Sequence, residues 1–468
     1  MNDISGELAA FARELPSIDI STDDTLLAER TRDWWMRSLL RSRQGDPRRP
    51  AAVIRPFTSE DVARVLAWAN AAGLGVVPFG LGSGVCGGVA PERTQVVLDL
   101  GRMKRILALN EETLTVVVQP GMRGSEFEDA LRERGYTMGH FPQSIALSSV
   151  GGWCATRAAG QYSTRYGNIE DMLVGCEVAL ADGRLIRLHT HPRSSTGPDL
   201  RELFLGSEGA LGVFTELTFR IRPVPEADAA IAFVLPSVRT GMEILRRVLR
   251  AGWQPAVTRL YDATEAGRHF KTASQGAPML LILSDGPRGL VEAEIAAVTT
   301  VAANLGATGV GEQPVRSWLE HRNDVPTFDA LLDQGLVADT IEVACGWDVL
   351  PELYERVVAA AAGIEGLLLM SGHVSHCYVD GANIYFTFVG AHGGNYDKAL
   401  AIYDAAWEIT MRATHEAGGT IAHHHGIGRV RKHWLKTELG DAHDVLVRIK
   451  KVLDPAGILN PGVLVDVR

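Results

Sequence analysis

Nowhere in these 468 residues does an apolar run approach the ~20 consecutive residues that a membrane-spanning helix needs, so no transmembrane helix is expected. The opening MNDISGELAAFARELP carries acids and lacks a continuous apolar core, which argues against a secretory signal, and the closing VDVR is not an evident address. A cytoplasmic protein without a stable membrane anchor is the expectation. Positive charge is also short. Lys and Arg number 46 against 56 Asp and Glu, for a net charge of −10, and no basic face stands out, which excludes general nucleic-acid binding. The five cysteines, Cys86, Cys154, Cys176, Cys345 and Cys377, are odd in number and lack CxxC spacing, so reduced, buried thiols are expected. A GxGxxG turn opening a helix is missing too, which counts against a Rossmann unit.

What is present suggests two domains, since the chain exceeds what one core usually organises. Residues 1–47 read as a helical extension. In RPFTSEDVARVLAWANAAG a strand end is followed by a Thr58 or Ser59 cap and an apolar stripe at Val62, Val65, Leu66 and Ala69, a β-then-α unit. Short β-rich runs continue to about residue 225, with Asp182-Gly183 as a hairpin signal, and Pro223 and Pro225 mark the boundary. From 226 to 417 strands and helices alternate, the pattern of an antiparallel sheet covered on one side by helices. Residues 418–468 return to the first domain. The fold class is α+β.

Two small-residue segments carry the first chemical signal. PFGLGSGVCGGVAP places five glycines after a β-branched strand, where backbone N–H groups can approach a pyrophosphate closely. About 60 residues later PQSIALSSVGGWCATRAAGQYSTRYGNIEDM is too small to fill a core but suits a narrow slot around a flat cofactor. A third piece is TGPDLRELFLGSEGALGVFTELTFRIRPVP. In this order the segments resemble the two-part FAD-binding domain of the vanillyl-alcohol-oxidase and p-cresol-methylhydroxylase superfamily, from about residue 48 to the C-terminus. The resemblance implies FAD as cofactor under an antiparallel-sheet cap domain. It places Pro78, Gly80, Gly82, Ser83, Gly84 and Gly88 at the pyrophosphate. Pro142, Ser144, Ser148, Ser149, Gly151, Gly152, Gly160, Tyr166 and Gly167 fall beside ribityl chain and ring, Glu208, Gly209, Gly212 and Val213 continue that contact, and Asn460 in LDPAGILNPG closes it. Ser83 stands where some relatives carry a flavin-linking His, so the FAD is expected to be non-covalent.

The run His423-His424-His425-Gly426-Ile427-Gly428 is the most chemically pointed part of the chain, because imidazoles donate, accept and shuttle protons near neutral pH. Alternation in an extended chain would put His423 and His425 on one face and His424 on the other. The HHHGIGRVRK run and Gly381-Ala382-Asn383-Ile384-Tyr385-Phe386 resemble the alkylglycerone-phosphate synthase branch, and the glycolate oxidase and D-lactate dehydrogenase branch more distantly. That resemblance implies catalytic roles for Tyr385, His423, His424 and His425, with Arg259 at the substrate. The metal site of the second branch lacks its last His and its Glu here, so no metal is expected. An arginine at a strand end suits a small-molecule substrate that carries an anion. Arg429, Arg431 and Lys432 add positive charge nearby, and a homodimer is compatible with the sequence.

Two reactions stay open. In one, a base such as His425 or Tyr385 takes a proton while a small hydroxylated or amine substrate is oxidised at flavin N5. In the other, an ether bond forms through a flavin N5 adduct without net redox. A non-catalytic flavin-binding protein is the remote third reading. The sequence leans to oxidation, because no amphipathic membrane-binding segment accompanies the synthase-like motifs.

Overall fold

The computed structural model describes residues 4–325 and 328–467. The first sheet orders Asp19–Ser21, Ala52–Arg55, Gln95–Asp99 and Gly75–Phe79, the last three running parallel. Its edge strand comes from the N-terminal extension, which is therefore not purely helical. Val53, Val77 and Val97 are fully buried, as befits parallel strands covered on both faces. Helix Ser59–Ala72 starts in a capping box between Thr58 and Asp61 and stops at left-handed Gly73.

A second, antiparallel sheet joins Ile106–Asn110, Thr115–Val118, Val213–Arg220, Leu173–Ala179 and Leu185–Leu188. The last two strands form the hairpin expected at Asp182-Gly183, where Gly183 has φ 84. After Arg222–Pro223 the chain leaves this half and enters a seven-stranded antiparallel sheet at Ala227–Val234. The α+β architecture is as expected, with helices and antiparallel sheets in both halves.

Side-chain alternation decides what the large sheet offers to each side. Leu260, Ile384, Phe386 and Phe388 are buried in one core with helices Val238–Arg250, Leu350–Ala361 and Tyr396–Glu416. Their neighbours Arg259, Tyr261, Tyr385 and Thr387 must then face the opposite side, where they line a cavity. That side is not bare: Val315 and Trp318 of helix Gln313–His321 pack there on Val257, Leu281 and Leu283. One-sided cover, as read from the sequence, misses this helix.

Two segments tie the halves together. The tail returns to the first sheet, where the Asn460 amide donates to the Val76 carbonyl at 2.8 Å. The N-terminal segment crosses the glycine-rich loop, Trp34 N–H donating to Gly84 O at 2.7 Å, and then reaches the cap through Trp35 Nε1 to Tyr403 Oη at 3.2 Å.

Candidate active site

A cavity of about 920 Å³ lies between the glycine-rich loops and the open face of the large sheet. That volume is near the upper end for ligand sites. Its lower wall is built so that backbone, not side chain, meets a ligand. A Cβ on Gly80 would sit 2.2 Å from Ser149 Oγ. Gly82 and Gly209 have φ of +69 and +75, and a Cβ on Gly209 would lie 2.7 Å from the Pro78 ring. Asn460, at φ 40, donates to Gly88 O and Glu208 O, while its Oδ1 is buried without a partner at the cavity wall. The bare backbone cradle fits the pyrophosphate of FAD, and the unsatisfied Asn460 acceptor fits a hydroxyl donor such as those of the ribityl chain.

Of the residues singled out for cofactor binding, seventeen line this cavity, from Pro78 to Asn460. Gly160, Tyr166 and Gly167 stand behind it. Gly160 has no room for a side chain against Phe141 N, and Gly167 turns at φ 85 over Asp171. The Tyr166 hydroxyl donates to Asp285 Oδ2 at 2.8 Å, a contact to the cap rather than to the slot.

The histidine run does not alternate as an extended chain would. His424 and His425 line the cavity, whereas His423 turns to Tyr378 Oη at 2.7 Å. The cause is the buried Glu342 carboxylate, which accepts the amides of both His423 and His425 at 2.5 and 2.8 Å and bends the run. A hydrogen-bonded line results. Asn168 Nδ2 donates to Tyr378 Oη at 2.9 Å, Tyr378 meets His423 Nε2, and His423 Nδ1 meets His424 Nδ1 at 2.8 Å. On the other side Tyr385 Oη lies 3.4 Å from His425 Nε2 and accepts from Thr340 Oγ1 at 3.0 Å, while its ring stacks on His373 with centroids 4.8 Å apart.

Burial sets the protonation of these groups. Desolvation pushes His425 down to about 3, helped by Arg431, and it pushes His423 down to about 4 and His373 to about 3. All three are neutral at pH 7. The Tyr385 hydroxyl is pushed up by the same burial and stays protonated. The site is thus a set of neutral donors and acceptors, with His425 Nδ1 and His373 Nδ1 buried and without hydrogen-bond partners.

Arg259 donates through Nε to Tyr261 Oη at 2.8 Å and lies over the Trp318 ring at 5.1 Å. Arg322, which no motif singles out, lies 6.0 Å from the same ring, is half-buried over Phe141 and Tyr162, and donates to Gln161 Oε1 at 2.7 Å. Neither guanidinium is within ion-pair distance of a carboxylate among the described residues, and both line the cavity. Nearby Arg268, by contrast, is committed to Glu265. Of the three cations expected beside the histidines, Arg431 is buried, Arg429 donates to the carbonyls of Ala90 and Pro461, and Lys432 pairs with Asp466. They supply no free charge to the cavity.

His376, His423 and His424 each offer a ring nitrogen within 4.8 Å of the others, the one cluster among the described residues that could close on a metal ion. Two of these rings are already bonded to each other, and His376 Nδ1 meets Ser163 Oγ at 2.7 Å. His373, Glu342 and Arg322 escaped the sequence reading, and His376 entered it only as the first residue of the incomplete metal motif. A lone acid inside the apolar strand TIEVACGW was the available clue to Glu342; nothing comparable marks Arg322. The cysteines are free, four of them buried.

Comparison with known proteins follows the same division of the chain. Residues 50–189 match the FAD binding domain, and residues 224–464 match the C-terminal domain of FAD linked oxidases. The uncharacterized FAD-linked oxidoreductase YgcU of Escherichia coli (strain K12) is 35% identical over 429 residues, 89% of each chain. Alkyldihydroxyacetonephosphate synthase of Caenorhabditis elegans is 30% identical over 459 residues, covering 90% of this chain and 77% of the relative. A solved alkyldihydroxyacetonephosphate synthase superposes with a TM-score of 0.80 at 25% identity, covering 97% of this chain and 84% of the other. No described helix is long and apolar enough to cross a membrane.

Proposed function

We propose, for a chain that belongs to the FAD-linked oxidase family and binds FAD, that it oxidises a small hydroxylated or amine substrate carrying an anionic group. Beside apolar walls that include Phe270, Phe328 and Leu331, the cavity above the cofactor cradle keeps a polar corner, and this is the observation that carries the reading. Tyr385, Thr340, Thr387 and His373 line it, and two guanidiniums without carboxylate partners stand at its edge. A neutral alkyl chain would leave the two guanidiniums without a counter-charge, whereas an anionic group on a compact substrate pairs with them.

FAD supplies the two-electron acceptor when bound. The residues of this chain hold the substrate and take its heteroatom proton. His425, neutral and 3.4 Å from the Tyr385 hydroxyl, is the base, receiving the proton at Nε2 directly or through that hydroxyl. The resulting imidazolium has Glu342 Oε1 3.6 Å from its Nδ1. Arg259 and Arg322 fix the anionic end, Trp318 between them shielding it from water. Ser83, Cys86 and Cys154 form no bond to the cofactor, which is held without covalent attachment. Cys86 Sγ already accepts from Arg431 at 2.9 Å.

Turnover of a panel of hydroxy acids, sugar alcohols and amines with a redox dye tests the reading. The expected result is dye reduction with a product two hydrogens lighter by mass spectrometry; alcohol incorporation without dye reduction would reject it. That outcome would support the second reading, ether-bond formation, which the histidine run and the likeness to alkyldihydroxyacetonephosphate synthase favour.

Two variants of this experiment are sharper. Arg322→Met raises KM for the anionic substrate by about tenfold or more, the value of one charged hydrogen bond, while kcat stays within about threefold; equal KM values would remove Arg322 from the subsite. The pH profile is the other. A group whose folded pKa is depressed is in its basic form above that value, so a His425 lowered from 6.5 to about 3 is a competent base throughout neutral and mildly acidic pH. The rate of substrate oxidation is therefore level on the acid side down to about pH 5. An inflection between pH 6 and 7 would assign the base elsewhere.

A further inference from the structure

The geometry points to Glu342 and Glu208 as a pair of positioning residues, one from each domain, that clamp the amides of the histidine loop and so aim His424 and His425 into the cavity. Glu342 lies in the cap strand Leu336–Gly346 and grips His423 N and His425 N. Glu208 lies in the FAD-binding half and accepts the next free amides along, Ile427 N at 2.7 Å and Gly428 N at 2.9 Å. Four donors within six residues thus end on two carboxylates, and the loop has no regular secondary structure of its own to hold it.

Arg431 makes the clamp rigid. A guanidinium has five N–H donors, and here each has a partner. Nε donates to Ile421 O at 2.7 Å; Nη1 to Gly426 O at 2.8 Å and Cys86 Sγ at 2.9 Å; Nη2 to Glu342 O at 3.2 Å and Glu342 Oε1 at 3.0 Å. The side chain is fully buried and lies over the Trp407 ring at 4.9 Å. It closes residues 421–431 into a ring around one point, with Glu342 as its counter-charge. Glu208 has no such cation in contact, and it leaves no room for a side chain at Gly426, whose Cβ would lie 3.0 Å from Glu208 Cδ. Both carboxylates hold the loop, and Glu342 in addition lies 3.6 Å from His425 Nδ1, so the amide contacts rather than the rate alone report its positioning role. A geometry error of about 1 Å at a reacting group costs on the order of 10²-fold in rate, so a clamp of this kind is worth keeping even though it touches no reacting atom.

Hydrogen–deuterium exchange at single-residue resolution on the FAD-bound protein tests the assignment. In Glu342→Gln the amide oxygen stays where His425 N and Arg431 converge, and the new NH2 faces His423 N. The expected result is exchange at the His423 amide at least about tenfold faster, with Ile427 and Gly428 unchanged. Glu208→Met gives the converse, fast exchange at Ile427 and Gly428 with His423 and His425 protected. Glu342→Gln leaves the buried Arg431 without its counter-charge; if that variant does not fold, Glu208→Met tests the clamp by itself, with fast exchange expected at Ile427 and Gly428 only. With any substrate that the wild type turns over, Glu342→Gln lowers kcat by about 100-fold and leaves KM within about threefold. Unchanged exchange in both variants, or equal loosening of all four amides in each, would overturn the clamp. So would a Glu342→Gln defect confined to KM. The exchange pattern does not depend on which reaction the enzyme performs; only the kcat arm rests on the proposed function.

Discussion

Tyr385→Phe is expected to slow substrate oxidation by about 10³-fold, within the range that a positioned proton-transfer group supplies. The change removes one oxygen and little else. Tyr385 lies on the strand Gly381–Ala391 between Ile384 and Phe386, both anchored in the opposite core, so the ring direction is fixed by strand alternation and survives the substitution. Its stacking on His373 also remains. What goes is the hydroxyl that links Thr340 to His425 Nε2. The variant should retain FAD and its melting temperature, since the hydroxyl faces the cavity. Stopped-flow absorbance of the variant against wild type checks this: a rate within tenfold of wild type would remove Tyr385 from the chemistry, and loss of FAD would show a structural role instead.

Gly209→Ala is expected to give a folded but largely colourless protein, with FAD occupancy lowered by tenfold or more. Two costs act at once. The backbone at φ +75 disfavours any L side chain by roughly 1–2 kcal/mol. The new Cβ would also lie 2.7 Å from Cγ of Pro78, a ring locked to the backbone that cannot turn away. Relief requires moving either the Pro78 loop or the GSEG turn, and both form the cofactor cradle. The ratio of flavin to protein absorbance, with circular dichroism to verify folding, measures the effect. Full occupancy would mean that the cradle is wider than the glycine contacts indicate.

Much of the fold was legible because it rests on short-range signals. Helix Ser59–Ala72 and the hairpin at Asp182-Gly183 follow from capping, apolar period and turn chemistry alone. That the glycine-rich segments line one wall of the cavity was legible for a related reason: close backbone approach leaves glycines in the sequence. The site above it was read less well. Tyr385 and the histidines came from local motifs, but the direction of each imidazole depends on Glu342, which is some eighty residues away and marked only by being an acid in an apolar strand. Arg431 was legible as positive charge near the histidines, but its burial was not, because that depends on Glu342 and Trp407 arriving together. Arg322 has no sequence signature at all. It becomes notable only when the fold sets it beside Trp318 and leaves it without a carboxylate. The N-terminal extension was read as helical because a three-residue edge strand, Asp19–Ser21, is too short to show a period.

Net oxidation of a small polar substrate beside Tyr385 is read from the anaerobic absorbance of the purified flavoprotein. Hydroxy acids, sugar alcohols, amines and dihydroxyacetone-phosphate esters are added one at a time. Lasting loss of the flavin band is expected with a hydroxylated or amine compound, restored only by an added electron acceptor. A transient change with an ester, reverting to the starting spectrum when an alcohol is supplied and no acceptor is present, would contradict net oxidation.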